Sequence, residues 1–172
     1  HGLLGSSYFV KNPTINLEKV RFMINFDMVG RLNKNRQLLI NGTGTSSRWD
    51  DLLNNSNNFD FDLKFSESGM GASDHTSFYL KDIPVLHFFT GQHSDYHKPS
   101  DDVDKINFEG MYSLIKYVKS IIQQSTLISD FDFKETASDS LSVPKFKVTL
   151  GVMPDYLFDG EGMRIDGISK NK

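Results

Sequence analysis

"VRFMINFD", residues 20–27, places Val20, Phe22, Met23, Ile24 and Phe26 within eight positions and ends on an aspartate. β-branched and aromatic residues at this density, with Gly30 shortly after, predict a buried strand that stops at a loop. "IPVLHFF" (83–89) is a second run, nearly all apolar, and "QLLIN" (37–41) a shorter third. Continuous apolar runs fit strands covered on both faces better than the alternation of a one-sided sheet, so they predict an α/β fold with a mixed, mostly parallel sheet flanked by helices.

The helices follow from period. "SRWDDLLNN" puts Trp49, Leu52 and Leu53 on one helical face, with Ser46 or Ser47 to cap its start. Further on, Phe108, Met111, Leu114, Ile115, Val118, Ile121 and Ile122 recur at threes and fours, an amphipathic helix with Asn107 as its cap. Residues 124–145, rich in Ser, Thr, Asp and Lys and ending near Pro144, read as a linker or irregular crossing segment. Beyond them, "KFKVTLGVMPDYLFDGEGMRIDGISKNK" breaks into short β-like pieces separated by Gly and Asp-Gly turns. The expected organisation is one α/β unit over 1–123, a linker over 124–145 and a β-rich extension over 146–172.

Composition narrows the chemistry. A chain of 172 residues with 38% apolar side chains is long enough to bury a core. A formal charge of −3 and the lack of any basic run argue against a nucleic-acid partner. Without cysteine there is no disulfide or thiolate site, so a metal must be held by His, Asp or Glu. No apolar stretch approaches the roughly 20 residues that span a bilayer. The opening "HGLLGSSYFV" lacks the order of a signal peptide and has no initiator Met, which suggests a piece of a longer protein.

In open α/β sheets, ligands collect beyond the carboxyl ends of the strands. Asp27 closes the first strand there, and "TGQHSDYH" (90–97) follows the "IPVLHFF" strand directly, so Asp27 and His97 are expected to face one crevice near one sheet edge. Both are ligand types that zinc accepts. Position alone leaves a blander reading open: Asp27 as a turn residue and His97 as an exposed loop histidine. "GASDH" does not make a serine hydrolase, whose triad converges from separate segments, and "NGTGTSS" lacks the Lys of a phosphate-binding loop.

Five stretches in order, "HGLLGSSYFV", "MINFDMVGR", "GMGASDHTSFY", "IPVLHFFTGQHSDYHKPSDD" and the helix after it, resemble the C-terminal half of the di-zinc aminopeptidases, bacterial metallo-aminopeptidases related in fold to glutaminyl cyclases. The resemblance implies that Asp27 ligates one zinc ion and His97 the other. It implies that Tyr96 hydrogen-bonds the substrate carbonyl, as an oxyanion donor, and that Asp74 is an acid just outside the ligands. Asp101, four residues after His97, is then placed to accept the ring N–H of a ligating histidine, unless it only caps a turn after Pro99. His75, His87 and His93 match no ligand role, and His87, inside an apolar strand, reads as a core residue. The substrate implied is a peptide with a free N-terminus, cleaved by metal-activated water.

In that family a His-x-Asp motif, a bridging aspartate and a Glu-Glu pair lie upstream, the pair just before a "GLLGS" segment; here the sequence opens at His1-Gly2-Leu3-Leu4-Gly5-Ser6. The expectation is a chain with no general base, little or no zinc binding and no peptidase activity alone. "VTLGVMPDYLFDGEGMRIDGIS" resembles the start of a PDZ-like module, cut before a peptide groove is complete. Two further readings stand beside the aminopeptidase: a non-catalytic scaffold or peptide-binding protein, and a glutaminyl cyclase-like acyltransferase. Family habit implies a periplasmic or secreted bacterial protein, and an exposed sheet edge suggests self-association.

Overall fold

The computed structural model describes residues 3–136 together with the backbone of 152–154 and 165–168. Four strands form one sheet: β1 (Met23–Asp27), β2 (Gln37–Asn41), β3 (Asp62–Ser66) and β4 (Val85–Phe89), in the order β1-β4-β2-β3. β1 runs parallel to β4 and β2 parallel to β3, and the two pairs meet at an antiparallel junction between β2 and β4. The fold is therefore the mixed, mostly parallel α/β arrangement that the apolar runs predict.

Successive side chains on a strand point to opposite faces, so the register sorts the residues. Leu38, Ile40, Leu86 and Phe88 lie on one face, where they join a single core with Trp49, Leu52 and Leu53 of α2 (Trp49–Ser56) and Leu114, Tyr117, Val118 and Ile121 of α4 (Phe108–Ser125). Asn25, Asp27, His87 and Asn41 alternate onto the other face, which meets α3 (His75–Tyr79). Helix α1 (Leu4–Lys11) lies outside α3, with the Phe9 and Phe78 rings 5.9 Å apart. Among the described residues no helix is long and apolar enough to cross a membrane.

Asn107 caps α4 through a 2.8 Å bond from the Gly110 amide to its side chain. At the start of α2 neither serine is the cap: Arg48 holds that position without a side-chain cap bond, and ahead of it Ser46 Oγ accepts from the Arg48 amide at 3.3 Å while the Ser47 amide bonds Asp132. A carboxylate close to a helix N-terminus is favoured by the helix dipole. The Ser46 and Ser47 hydroxyls also donate to Asp132, at 2.9 and 2.8 Å; burial opposes its ionisation, yet these bonds push the carboxyl down to about 2.

Asp132 belongs to residues 126–136, which leave α4 and run as a strap over the core. The Phe131 ring lies 5.0 Å from that of Trp49, the Lys134 amide donates to the Thr45 carbonyl at 2.9 Å, and the Thr136 amide donates to the Tyr79 hydroxyl at 2.8 Å. Farther on, β5 (Val152–Pro154) and β6 (Ile165–Ile168) pair antiparallel. The rest of the segment expected to be PDZ-like lies outside the described residues.

Gly42 ends β2 at a φ of 85°, in the left-handed region that disfavours other residues, and a Cβ there would stand 2.4 Å from the Val85 carbonyl oxygen. Gly42→Ala is therefore expected to cost about 2–3 kcal/mol, combining backbone strain with forced displacement of β4. A urea midpoint within error of the wild type would show that the turn relaxes freely.

Candidate active site

Asp27 is the last residue of β1, and its carboxylate is held by neighbours that strand register brings to it. His87 Nε2 lies 2.8 Å from Asp27 Oδ2, Ser73 Oγ donates to the same oxygen at 2.5 Å, and Asn25 Nδ2 reaches it at 3.4 Å. The Asn41 amide nitrogen, which only donates, stands 3.0 Å from His87 Nδ1. Nδ1 must therefore accept, so the ring carries its hydrogen on Nε2 and donates it to Asp27. This bond, with lesser help from Ser73 and against the effect of burial, holds the Asp27 carboxyl below the usual carboxylate range.

All three bonds fall on Oδ2, and among the described residues no donor reaches Oδ1. A carboxylate with one oxygen oriented by its neighbours and the other open fits a ligand for a hard or borderline cation. Behind it, His75 stacks on His87 with ring centroids 4.6 Å apart and planes 15° off parallel. His75 is 1% exposed, and neither of its ring nitrogens has a hydrogen-bond partner among the described residues. Burial, reinforced by His87 and opposed by Asp27, pushes its pKa down to about 3.

The loop after β4 carries the other candidates. His97 is exposed, with a φ of 55°, and its ring lies 4.0 Å from that of the partly buried Tyr96. Tyr96 in turn meets His93 edge-on at 6.5 Å. Asp95 accepts from Lys105 at 2.6 Å, Ser100 at 2.7 Å and Arg31 at 2.6 Å, and these bonds, that of Lys105 foremost, hold its carboxyl far below the usual range. Burial and the neighbouring Arg31 hold His93 below the usual imidazole range.

Asp27 and the His97 loop thus leave the same edge of the sheet, from the carboxyl ends of two parallel, adjacent strands. Asp74, at the start of α3, accepts from Ser6 of α1 at 2.7 Å; it is the flanking Ser73 and His75 that reach the Asp27–His87 pair. The histidine that Asp101 approaches is His93, at 3.8 Å, and its other charged neighbour is Arg31, at 3.5 Å. Among the described residues, no three His, Asp or Glu side chains gather closely enough to hold a metal ion. His87 is both buried in β4 and bonded to Asp27, a second role that its apolar flanks conceal; its signal was position, two residues before the end of a strand whose neighbour ends in an aspartate.

Three solved structures that share this architecture are aminopeptidases. The chain is 25% identical to BSAP, a zinc aminopeptidase from Bacillus subtilis, with a TM-score of 0.58 over 80% of this chain and 35% of that one. An aminopeptidase from Aneurinibacillus sp. strain AM-1 is 25% identical, with a TM-score of 0.57 over 78% of this chain and 32% of that one. LapA aminopeptidase from Legionella pneumophila, 23% identical, shares the fold with a TM-score of 0.59 over 71% of this chain and 35% of that one. The chain thus spans about a third of the length of these structures. A comparison with curated proteins finds no match. The sequence profile of peptidase family M28 matches residues 1–122, and the chain belongs to that family.

Proposed function

We propose that this chain works in a zinc-dependent aminopeptidase, in which Asp27 and His97 each ligate one of two zinc ions and Tyr96 donates to the oxygen of the scissile carbonyl. The observation that supports this best is the Asp27 carboxylate, with Oδ2 held by His87 and Ser73 and Oδ1 open among the described residues. Membership of a peptidase family supports the reaction class, and the likeness to a zinc aminopeptidase supports zinc as the cofactor. When bound, the metal pair contributes Lewis acidity toward the carbonyl and a nucleophile drawn from water.

The residues of the chain prepare the site. His87 and Ser73 fix the plane of the Asp27 carboxylate before any ligand arrives, so no reorientation is needed on binding. Tyr96 offers a donor to charge that develops only as the carbonyl is attacked. Asp74 and Asp101 support the site without ligating, Asp74 by tying α1 to α3 and Asp101 through Arg31 and His93. The substrate is a peptide with a free N-terminus.

A catalytic zinc takes three protein ligands and a water. The described residues offer fewer, so the isolated chain is expected to hold zinc weakly and to leave aminoacyl substrates intact. Chelator-sensitive hydrolysis by the isolated chain would refute that. In the active, zinc-loaded protein, Asp27→Ala and His97→Ala should each lower zinc content and turnover. Tyr96→Phe should keep the zinc and lose roughly 10²-fold in kcat, on the order of 2.7 kcal/mol, with KM little changed. Wild-type zinc content in Asp27→Ala would remove it from the ligand set, and unchanged turnover in Tyr96→Phe would leave Tyr96 a packing residue.

A further inference from the structure

We infer that Arg31 and Asp95 form a clamp that fixes the loop carrying Tyr96 and His97 against the turn that follows Asp27. The inference rests on the reading of Asp27 and His97 as metal ligands and adds what sets their relative position. Arg31 lies four residues after Asp27, at the end of a 3₁₀ turn (Val29–Arg31) entered through Met28 at a φ of 59°. Asp95 lies two residues before His97. The pair closes at 2.6 Å, with side chains 15% and 16% exposed, so it is less accessible to water than an open surface pair.

The guanidinium does more than neutralise Asp95. Arg31 Nη2 also meets His93 Nδ1 at 3.0 Å, while Nη1 donates to the Lys105 carbonyl at 2.7 Å, so one planar fork grips the loop near both of its ends. Two other bonds join the same segments: Thr90 Oγ1 donates to the Met28 carbonyl, and the Asn107 amide donates to the Gly30 carbonyl at 2.8 Å. The turn after Asp27 is therefore bonded to the first, middle and last parts of the loop. His97 itself, exposed and in a left-handed backbone conformation, has to be held by its neighbours, and Arg31 is the residue built to hold them. An ammonium cannot reproduce that fork, so Arg31 and Asp95 act as positioning residues whose shape matters as much as their charge.

The test compares wild type with Arg31→Lys, which keeps charge but loses the fork, and Asp95→Asn, which keeps shape but loses charge. The first readout is amide exchange in the zinc-free protein at Tyr96, Lys98 and Asp101, whose amides bond the carbonyls of His93, Asp95 and Lys98. Both variants should exchange there roughly tenfold faster while Ile40 and Leu86 in the core keep their protection. The second readout is zinc affinity of the active protein by chelator competition, which should fall about 10–100-fold. Unchanged exchange at 96–101, or acceleration spread evenly through the core, would overturn the clamp whatever happens to zinc. Local acceleration with full zinc affinity, in a protein where His97→Ala does weaken zinc, would also overturn it. If His97→Ala leaves zinc affinity intact, the ligand reading fails first and the inference falls with it. Should Arg31→Lys not fold, Asp95→Asn carries both readouts.

Discussion

Trp49→Ala is expected to lower stability by about 4 kcal/mol, the range seen when a large aromatic is truncated in a close-packed core. Trp49 is fully buried, with its ring 5.3 Å from that of Phe22 and 5.0 Å from that of Phe131. Its Nε1–H donates at 3.1 Å to Thr45 Oγ1, which also accepts from the Val85 amide at 3.0 Å and donates to the Gly42 carbonyl at 2.7 Å. The indole thus fills the space between α2 and the strap and completes a buried hydroxyl that links β2 to β4. Trp49→Phe, which restores most of the volume but not the N–H, should lose only about 1–2 kcal/mol. Trp49 is the sole tryptophan, so unfolding has to be followed by circular dichroism rather than fluorescence. A loss below about 1 kcal/mol in Trp49→Ala would mean that the core collapses around the gap.

The second large effect is acid sensitivity set by His75. Its pKa is about 3 in the folded protein, against the ordinary value of 6.5 in the unfolded chain. Between those values the unfolded state binds the proton and the folded state does not. Stability from this group is therefore complete above about pH 6.5 and is lost as pH falls toward 3. At about 1.4 kcal/mol per pH unit, the loss by pH 4 is on the order of 3 kcal/mol. His75→Phe keeps a ring stacked on His87 and removes the proton site. Urea unfolding from pH 7 to pH 4 should show a shallower decline for the variant, which becomes the more stable protein at the acid end. Parallel pH profiles would show that His75 takes up its proton without unfolding. The Asp27 carboxyl, also depressed, adds stability above its usual 3.8 that is lost below it; both proteins share the larger part of this, which comes from His87 and Ser73, and the variant lacks only the small contribution of His75.

Legibility from sequence followed the strength of local pattern. β1, β2, β4, α2 and α4 carry dense apolar runs or a clear helical period, and each stands where those patterns put it. β3 was not foreseen: "DLKFS" alternates only weakly, and Asp62 and Lys64 face solvent in a strand paired on one side among the described residues. Helix α3 has five residues and no period of its own; its place comes from packing on β1, β4 and α1. The edge carrying Asp27 and His97 could be read because both follow strand ends. Their support could not: His87 meets Asn41 only through the antiparallel register of β2 and β4, and Arg31 meets Asp95 across 64 positions with no local signal. Pairings of that kind are decided by tertiary structure alone.

The strap over residues 126–136 also sets an order of events during synthesis. Asp132, which bonds the segment leading into α2, lies 86 positions after Ser46, and Thr136 lies 57 after Tyr79. At about 5–20 residues per second, Ser46 leaves the ribosome roughly 4–17 s before its partner. Throughout that interval the indole of Trp49 lacks Phe131 as a lid and the Ser46–Ser47 segment ahead of α2 lacks its carboxylate partner. The nascent chain therefore holds its largest apolar side chain partly open until the strap emerges, and it is over that interval that a chaperone has a binding surface.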